Sequence, residues 1–322
     1  MRVYNRATSL IGRNTTRLHS SSHELCALPP VECMKGQIHN VNIDAFRERA
    51  FVPQQPLLIT ERQNQGVASI CTISACSIPA ASKWFSTTTN SDGTTAVTVS
   101  QYLSSFSQTT TLPYELIQEA AVDSNEYMEL LDQSIGQVPG TKLHRFHAPL
   151  SVFLKASNMK PRPHIYIAQA QISDLPRQLQ NDLPTPTLVK EAGRGDIYDA
   201  NIWIGIPPTY TPLHKDPNPN LFVQLASSKR VRLFNPTVGA AIFRHVQSNI
   251  GQSASASFRG NEMMEGPERT VLDDAVWGKL LSRQGFEAIV NPGDALFIPR
   301  GWWHSIKSTG TNINASVNWW FR

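Results

Sequence analysis

The chain has 322 residues, 40% hydrophobic and 17% charged, with 22 Pro and 18 Gly scattered without period. This excludes collagen-like and low-complexity classes and leaves a turn-rich globular chain with enough apolar mass for a sizeable core, and no apolar run is long enough to cross a bilayer as a helix, so no membrane association is expected. The formal charge of +4 matches the four arginines of the first 22 residues; without them the rest is near neutral, which argues against a basic nucleic-acid-binding face on the domain, and no stable nucleic-acid binding is expected.

Residues 1–22 carry Arg2, Arg6, Arg13 and Arg17, several Ser and Thr, and no acid, the composition of a mitochondrial transit segment. The alternative is an unaddressed N-terminus and a cytoplasmic or nuclear protein. Residues 23–322 read as one domain, with a helical and strand elaboration over 23–160 and a barrel core over 161–322. Cys26, Cys33, Cys71 and Cys76 lack the two-residue spacing of zinc knuckles and are expected to be free thiols. Asp44 can cap a short helix from Ala45 to Ala50, and Pro56–Ile59 reads as a buried strand. Ser86–Thr98, rich in Ser, Thr, Asn and Gly, is expected to be a flexible loop. Leu112-Pro113-Tyr114 is expected to start a helix running through Leu116, Ile117, Ala120 and Ala121, followed by a second from Asn125 through Leu131. His144 and His147, without an acid nearby, suit a surface or a partner contact better than a metal.

From Tyr166 to Phe321 short apolar strands separated by turns take over: Ala200–Ile206, Leu221–Leu225, Val231–Phe234, Ala288–Val290, Ala295–Ile298 and Ala315–Phe321. An excursion at about 239–286 holds a polar stretch, Ser248–Ser257, and a helix around Leu272–Leu281. It carries no candidate catalytic residue and reads either as a substrate-access element or as a surface loop.

Chemistry concentrates at Thr211-Pro212-Leu213-His214-Lys215-Asp216 and at Pro299-Arg300-Gly301-Trp302-Trp303-His304. On a strand, residues two apart share a face, so His214 and Asp216 can offer an imidazole nitrogen and a carboxylate oxygen to one ion. His304, 88 positions after Asp216, follows the turn Asn291-Pro292-Gly293-Asp294 and the strand Ala295–Ile298. Two histidines and one carboxylate leave coordination positions open on one side, as non-haem Fe(II) oxygenases require. A lone His-x-Asp also occurs on any strand with polar surface residues, so spacing alone does not decide.

Thr211–Asp216, Asn220–Leu225 and Lys229–Pro236, followed by Trp302-Trp303-His304 and Val317-Asn318-Trp319-Trp320, resemble in order the core of the JmjC-type branch of the cupin-fold 2-oxoglutarate oxygenases. The resemblance is strongest to its hydroxylases, such as the asparaginyl hydroxylase that inhibits the hypoxia-inducible factor. It implies a mainly β fold, a double-stranded β-helix of the jelly-roll or cupin type with flanking helices. It also implies an enzyme, a 2-oxoglutarate-dependent dioxygenase, with Fe(II) held by His214, Asp216 and His304. Lys229 would pair with the distal carboxylate of 2-oxoglutarate, Thr211 and Tyr166 would supply hydroxyl donors, and Asn220 and Asn318 would lie near the metal-bound end. A buried carboxylate needs such a cation and donors, or desolvation forbids its binding. The bland alternatives are a surface Lys229-Arg230 pair, a core Tyr166 and a turn-capping Asn318. Trp302 and Trp303 suit packing of the barrel wall near His304.

Three functions compete at this level. The first is a hydroxylase acting on a protein or RNA side chain. The second is a histone N-methyl-lysine demethylase using the same triad. The third is a non-catalytic cupin-like binding protein, whose mark would be a broken triad; here the triad is intact.

Overall fold

Burial with period two builds this molecule. In the final strand, for example, Val317, Trp319 and Phe321 face one layer while Ser316, Asn318 and Trp320 face another. The computed structural model describes residues 28–62, 78–89, 91, 93–117, 143–250, 266–278 and 284–322. The expected leader, Cys26, Cys71 and Cys76, the helical run from Asn125 through Leu131, and most of the polar stretch after Ile250 lie outside them.

Among the described residues the strands are β1 (Cys33–Lys35), β2 (Leu57–Thr60), β3 (Phe85–Thr89), β4 (Thr95–Val99), β5 (Thr111–Ile117), β6 (Leu143–Pro149), β7 (His164–Gln171), β8 (Ile197–Gly205), β9 (Tyr210–Lys215), β10 (Asn220–Ala226), β11 (Ser228–Phe234), β12 (Gly285–Val290), β13 (Ala295–Ile298), β14 (Trp303–Thr309) and β15 (Asn314–Phe321). A nine-stranded sheet runs β1-β2-β13-β10-β15-β8-β7-β5-β6, and a four-stranded sheet runs β12-β11-β14-β9. Apart from the parallel β1–β2 pair, the recorded strand pairs are antiparallel. The fold is mainly β, of the cupin or jelly-roll type.

Alternation sorts the apolar side chains into three layers. Phe222, Val231, Leu233, Val290, Leu296 and Ile298 pack together between the two sheets. Leu221, Val223, Phe297, Val317 and Trp319 face outward onto Phe46, Trp84, Leu103 and Phe153 of the covering helices. Leu213, Phe234 and Trp303 of the small sheet pack on Phe243, Val246, Leu272 and Val276, which belong to the helices Pro236–Ile250 and Gly266–Trp277. Each fully buried large side chain contributes about 1.5–3 kcal/mol, so both sheets are held from two sides and stay rigid at the strands that carry polar residues. Gly239 permits the last contact: a Cβ there would lie 2.1 Å from the Trp303 ring.

Several sequence expectations are corrected. Thr111–Ile117 is β5, not a helix: Leu112, Tyr114 and Leu116 are buried two apart, and pairing with β6 and β7 fixes them extended. The segment expected to be a flexible loop at 86–98 is largely a hairpin, β3–β4, in which exposed threonines satisfy strand propensity without burying a face. The helix cap near residue 44 is Asn42, whose Oδ1 accepts from Ala45 N; the α-helix Ile43–Phe46 continues as a π-helix over Arg47–Phe51. The helix expected around Leu272–Leu281 spans Gly266–Trp277. His144 is buried on β6 rather than at the surface, whereas His147, three residues on and so on the other face of the strand, is exposed. Cys33 lies half-buried in β1.

Candidate metal centre and its cavity

The small sheet brings the two histidines together. In the β9–β14 ladder His304 pairs with His214, but the next pair is Ile306 with Thr211, so β9 carries one extra residue there. Such a bulge resets the alternation. Without it, Thr211 and His214, three apart, would face opposite sides; with it, both line the same cavity. Asp216 lies one residue beyond the end of β9 rather than within it, correcting the reading that placed it on the strand, and its carbonyl accepts the N–H of Gly301 at 3.2 Å. That bond ties the segment bearing Asp216 to the turn that leads into His304.

Nε2 of His214 lies 3.9 Å from Asp216 Oδ1, and Nε2 of His304 lies 3.7 Å from Asp216 Oδ2. The three ligand atoms fall within 4.8 Å of one another. On the far side of each ring, Nδ1 meets a backbone carbonyl, Pro212 O at 2.8 Å for His214 and Trp302 O at 3.2 Å for His304. A carbonyl only accepts, so Nδ1 carries the hydrogen and the Nε2 lone pair is left facing inward, the arrangement a metal-binding imidazole needs. Oδ2 of Asp216 accepts from Asn220 Nδ2 and from Trp320 Nε1, each at 2.9 Å. Burial alone would raise the Asp216 carboxyl, but His304 and His214 in their protonated forms, together with these two hydrogen bonds, outweigh it and hold it below the ordinary carboxylate value. Two inward imidazole nitrogens and one ionised carboxylate fit a divalent first-row ion of the Fe(II) type.

Period two also separates Lys229 from Arg230. Arg230 faces solvent, while Lys229 is 2% exposed, turned between the sheets beside Val231 and Leu233. Its Nζ donates to Ser316 Oγ at 2.9 Å and to the Tyr166 hydroxyl at 3.3 Å, and it lies 5.3 Å from the Phe222 ring centroid. A buried ammonium ringed by hydroxyls suits a small dicarboxylate better than it suits an apolar core. Gly205 makes room for Tyr166, because a Cβ at that position would approach the ring to 2.4 Å.

All eight residues singled out in the sequence, Tyr166, Thr211, His214, Asp216, Asn220, Lys229, His304 and Asn318, line one cavity of about 580 Å³. That volume accommodates a small acid and part of a substrate side chain. The exposed residues Arg145, His147, Gln169 and Tyr198 line its outer part. Gln169 sits in a bulge of β7 with φ of 57°, a conformation that non-glycine residues adopt rarely and mostly where a side chain is re-aimed. Sequence reasoning missed Trp320, Ser316 and Trp203. The first two share the Asn318 face of β15, so alternation from Asn318 would have found them. Trp302 and Trp303 pack on opposite sides of the small sheet, Trp302 in the layer between the sheets and Trp303 against Phe243 at 5.1 Å.

A family model described as a cupin-like domain matches residues 53–322. The chain is 26% identical over 166 residues to Lysine-specific demethylase JMJ30 of Arabidopsis thaliana, covering 52% of this chain and 35% of that protein. It is 28% identical over 158 residues to Lysine-specific demethylase 8 of Danio rerio, covering 48% and 36%. It is 28% identical over 167 residues to JmjC domain-containing protein C of Dictyostelium discoideum, covering 50% and 36%. The match thus spans about a third of the length of these relatives.

Proposed function

Since the chain belongs to the cupin-like domain family, we propose that it is an Fe(II)- and 2-oxoglutarate-dependent dioxygenase that hydroxylates a protein or RNA side chain. The observation that carries the oxygenase reading is the convergence of His214, Asp216 and His304 on one side of a cavity whose floor holds Lys229. His214, Asp216 and His304 would hold the iron. Bound together, iron and 2-oxoglutarate supply O₂ activation coupled to decarboxylation, which yields succinate and CO₂ and delivers oxygen to a C–H bond.

The chain's own residues do the positioning. Lys229 binds the distal carboxylate of the acid, with Tyr166 and Thr211 offering hydroxyls beside it. Pro212 O and Trp302 O fix the two imidazoles, while Asn220 and Trp320 orient the carboxylate. Phe222, Trp203 and Ile306 line the cavity and exclude water, so charges inside it interact strongly. The outer residues, Gln169 among them, are placed to meet a substrate.

The names of two relatives favour a second reading, demethylation of N-methyl-lysine. The hydroxylase reading rests on the resemblance of Thr211–Pro236 to that branch. Both start with the same hydrogen abstraction, and they part at the product. The test is succinate formation from 2-oxoglutarate with candidate peptides, methyl-lysine histone peptides and tRNA, followed by mass analysis. A stable gain of one oxygen supports the hydroxylase, formaldehyde release supports the demethylase, and absence of His304-dependent succinate formation with any candidate favours a binding protein.

A further inference from the structure

Asn201 lies in β8 with 0% exposure, and among the described residues neither its Nδ2 nor its Oδ1 has a hydrogen-bond partner. An amide in that state is costlier than a leucine of similar size, so its presence calls for a use. Its neighbours on the same face of the strand, Asp199 and Trp203, line the cavity, and Asn201 stands between them behind the wall. Across the ladder its register partner is Asn318.

Asp216 dictates how the amides between them point. A carboxylate only accepts, so Asn220 must turn Nδ2 toward Asp216 Oδ2, as it does at 2.9 Å. That leaves Asn220 Oδ1 to accept, and Asn318 Nδ2 donates to it at 3.1 Å. Asn318 Oδ1 is then left facing away from Asn220, buried and, among the described residues, without a partner. The relay therefore needs one more donor at its far end, and the donor-bearing side chain directly opposite is Asn201. No direct hydrogen bond is recorded between them, and a single water accepting from Asn201 Nδ2 and donating to Asn318 Oδ1 would give both atoms a partner.

We propose that Asn201 is a positioning residue for the metal-facing carboxylate Asp216, acting through one ordered water, Asn318 and Asn220. It never touches the metal or the substrate. By bringing a donor to Asn318 Oδ1 it stabilises the orientations of Asn318 and Asn220 that Asp216 imposes, and so steadies the Asp216 carboxylate at the angle the two histidines require. The assignment rests on the metal reading of His214, Asp216 and His304 given above.

The test is titration of the metal-free protein with Co(II), read by its visible absorption band, together with thermal melting of the metal-free form. For Asn201→Leu the expected result is a Co(II) affinity lower by about 10- to 100-fold, the usual effect of losing a residue that orients a ligand. A shifted absorption band and an undiminished melting temperature should accompany it, because an unpartnered amide has been removed. If leucine is not accommodated, Asn201→Val, smaller and suited to a strand, carries the same expectation. Asn201→Ser, which keeps a donor, should restore most of the lost affinity. Affinity and band unchanged in the folded apolar variant overturn the relay while leaving the metal reading in place. Failure of the unsubstituted protein to take up Co(II) overturns both.

Discussion

His304 and His214 face each other directly across the β9–β14 ladder, with ring centroids 4.1 Å apart and Nε2 of each ring directed at a different oxygen of Asp216. One strand pair thus presents two candidate ligands, and the carboxylate that follows β9 completes the group of three.

Replacing His214 or Asp216 by Ala should abolish Fe(II) binding and 2-oxoglutarate turnover, since two protein ligands rarely retain this ion against water. Metal titration of each purified variant and a succinate assay check it. Turnover equal to that of the unsubstituted protein in either variant would reject the triad.

Lys229→Ala should leave metal affinity nearly unchanged and weaken 2-oxoglutarate by about 2–5 kcal/mol, the cost of leaving a buried charge without its partner. Calorimetry of the acid in the presence of Mn(II) measures it. An unaltered affinity would mean that the acid binds elsewhere in the cavity.

Gly239→Ala tests whether the helices behind the small sheet support the metal strand. Alanine gains about 1 kcal/mol in helix propensity, but the Cβ meets the Trp303 ring at 2.1 Å, and overpacking costs about 1–3 kcal/mol. A net loss of stability in urea is expected, accompanied by weaker metal binding because Trp303 adjoins His304. A more stable variant would show that the contact yields freely.

Acid stability should report Asp216. Its folded value lies below the ordinary 3.8. The stabilisation it gives is therefore full above that value and is lost as pH falls through the lower folded value. In metal-free protein, urea midpoints of the unsubstituted chain and of Asp216→Asn should differ by a constant amount at mildly acidic pH and converge in stronger acid. A gap that instead widens on acidification would contradict the depressed value.

A fusion of residues 1–30 to a fluorescent reporter should enter mitochondria, because arginines without acids through Ser22 are drawn inward by the membrane potential. A diffuse cytosolic signal would remove this address and leave the enzyme reading untouched.

Much of the site was legible because its information is local. His214 and Asp216 stand two apart, and Lys229 and Arg230 are adjacent on a strand, so they face opposite ways; the resemblance, not the spacing, pointed to Lys229 as the inward one. β5 was not legible as a strand, since Leu112 and Leu116 satisfy a helical spacing of four as well as a strand spacing of two, and pairing with β6 and β7 decided between them. The β3–β4 hairpin was hidden because its threonines are exposed and polar, although their branched Cβ atoms favour extension. Alternation from Asn318 puts Trp320 on the site face, but what Asn201 and Trp320 pair with could not be read from the chain alone. Their partners, Asn318 and Asp216, lie more than a hundred positions away, and register across a ladder is a tertiary fact.

The bond from Gly301 N–H to the Asp216 carbonyl joins the two ligand-bearing segments through backbone alone. An ion arriving at this site would not have to gather its ligands from a loose chain, because the 88-residue excursion between Asp216 and His304 is already closed by the fold. The ordering entropy of that closure is met during folding rather than at binding, which leaves metal uptake a small, fast and local event. Hydrogen exchange along β9 and β14 should then be slow before the metal arrives and little slower afterwards.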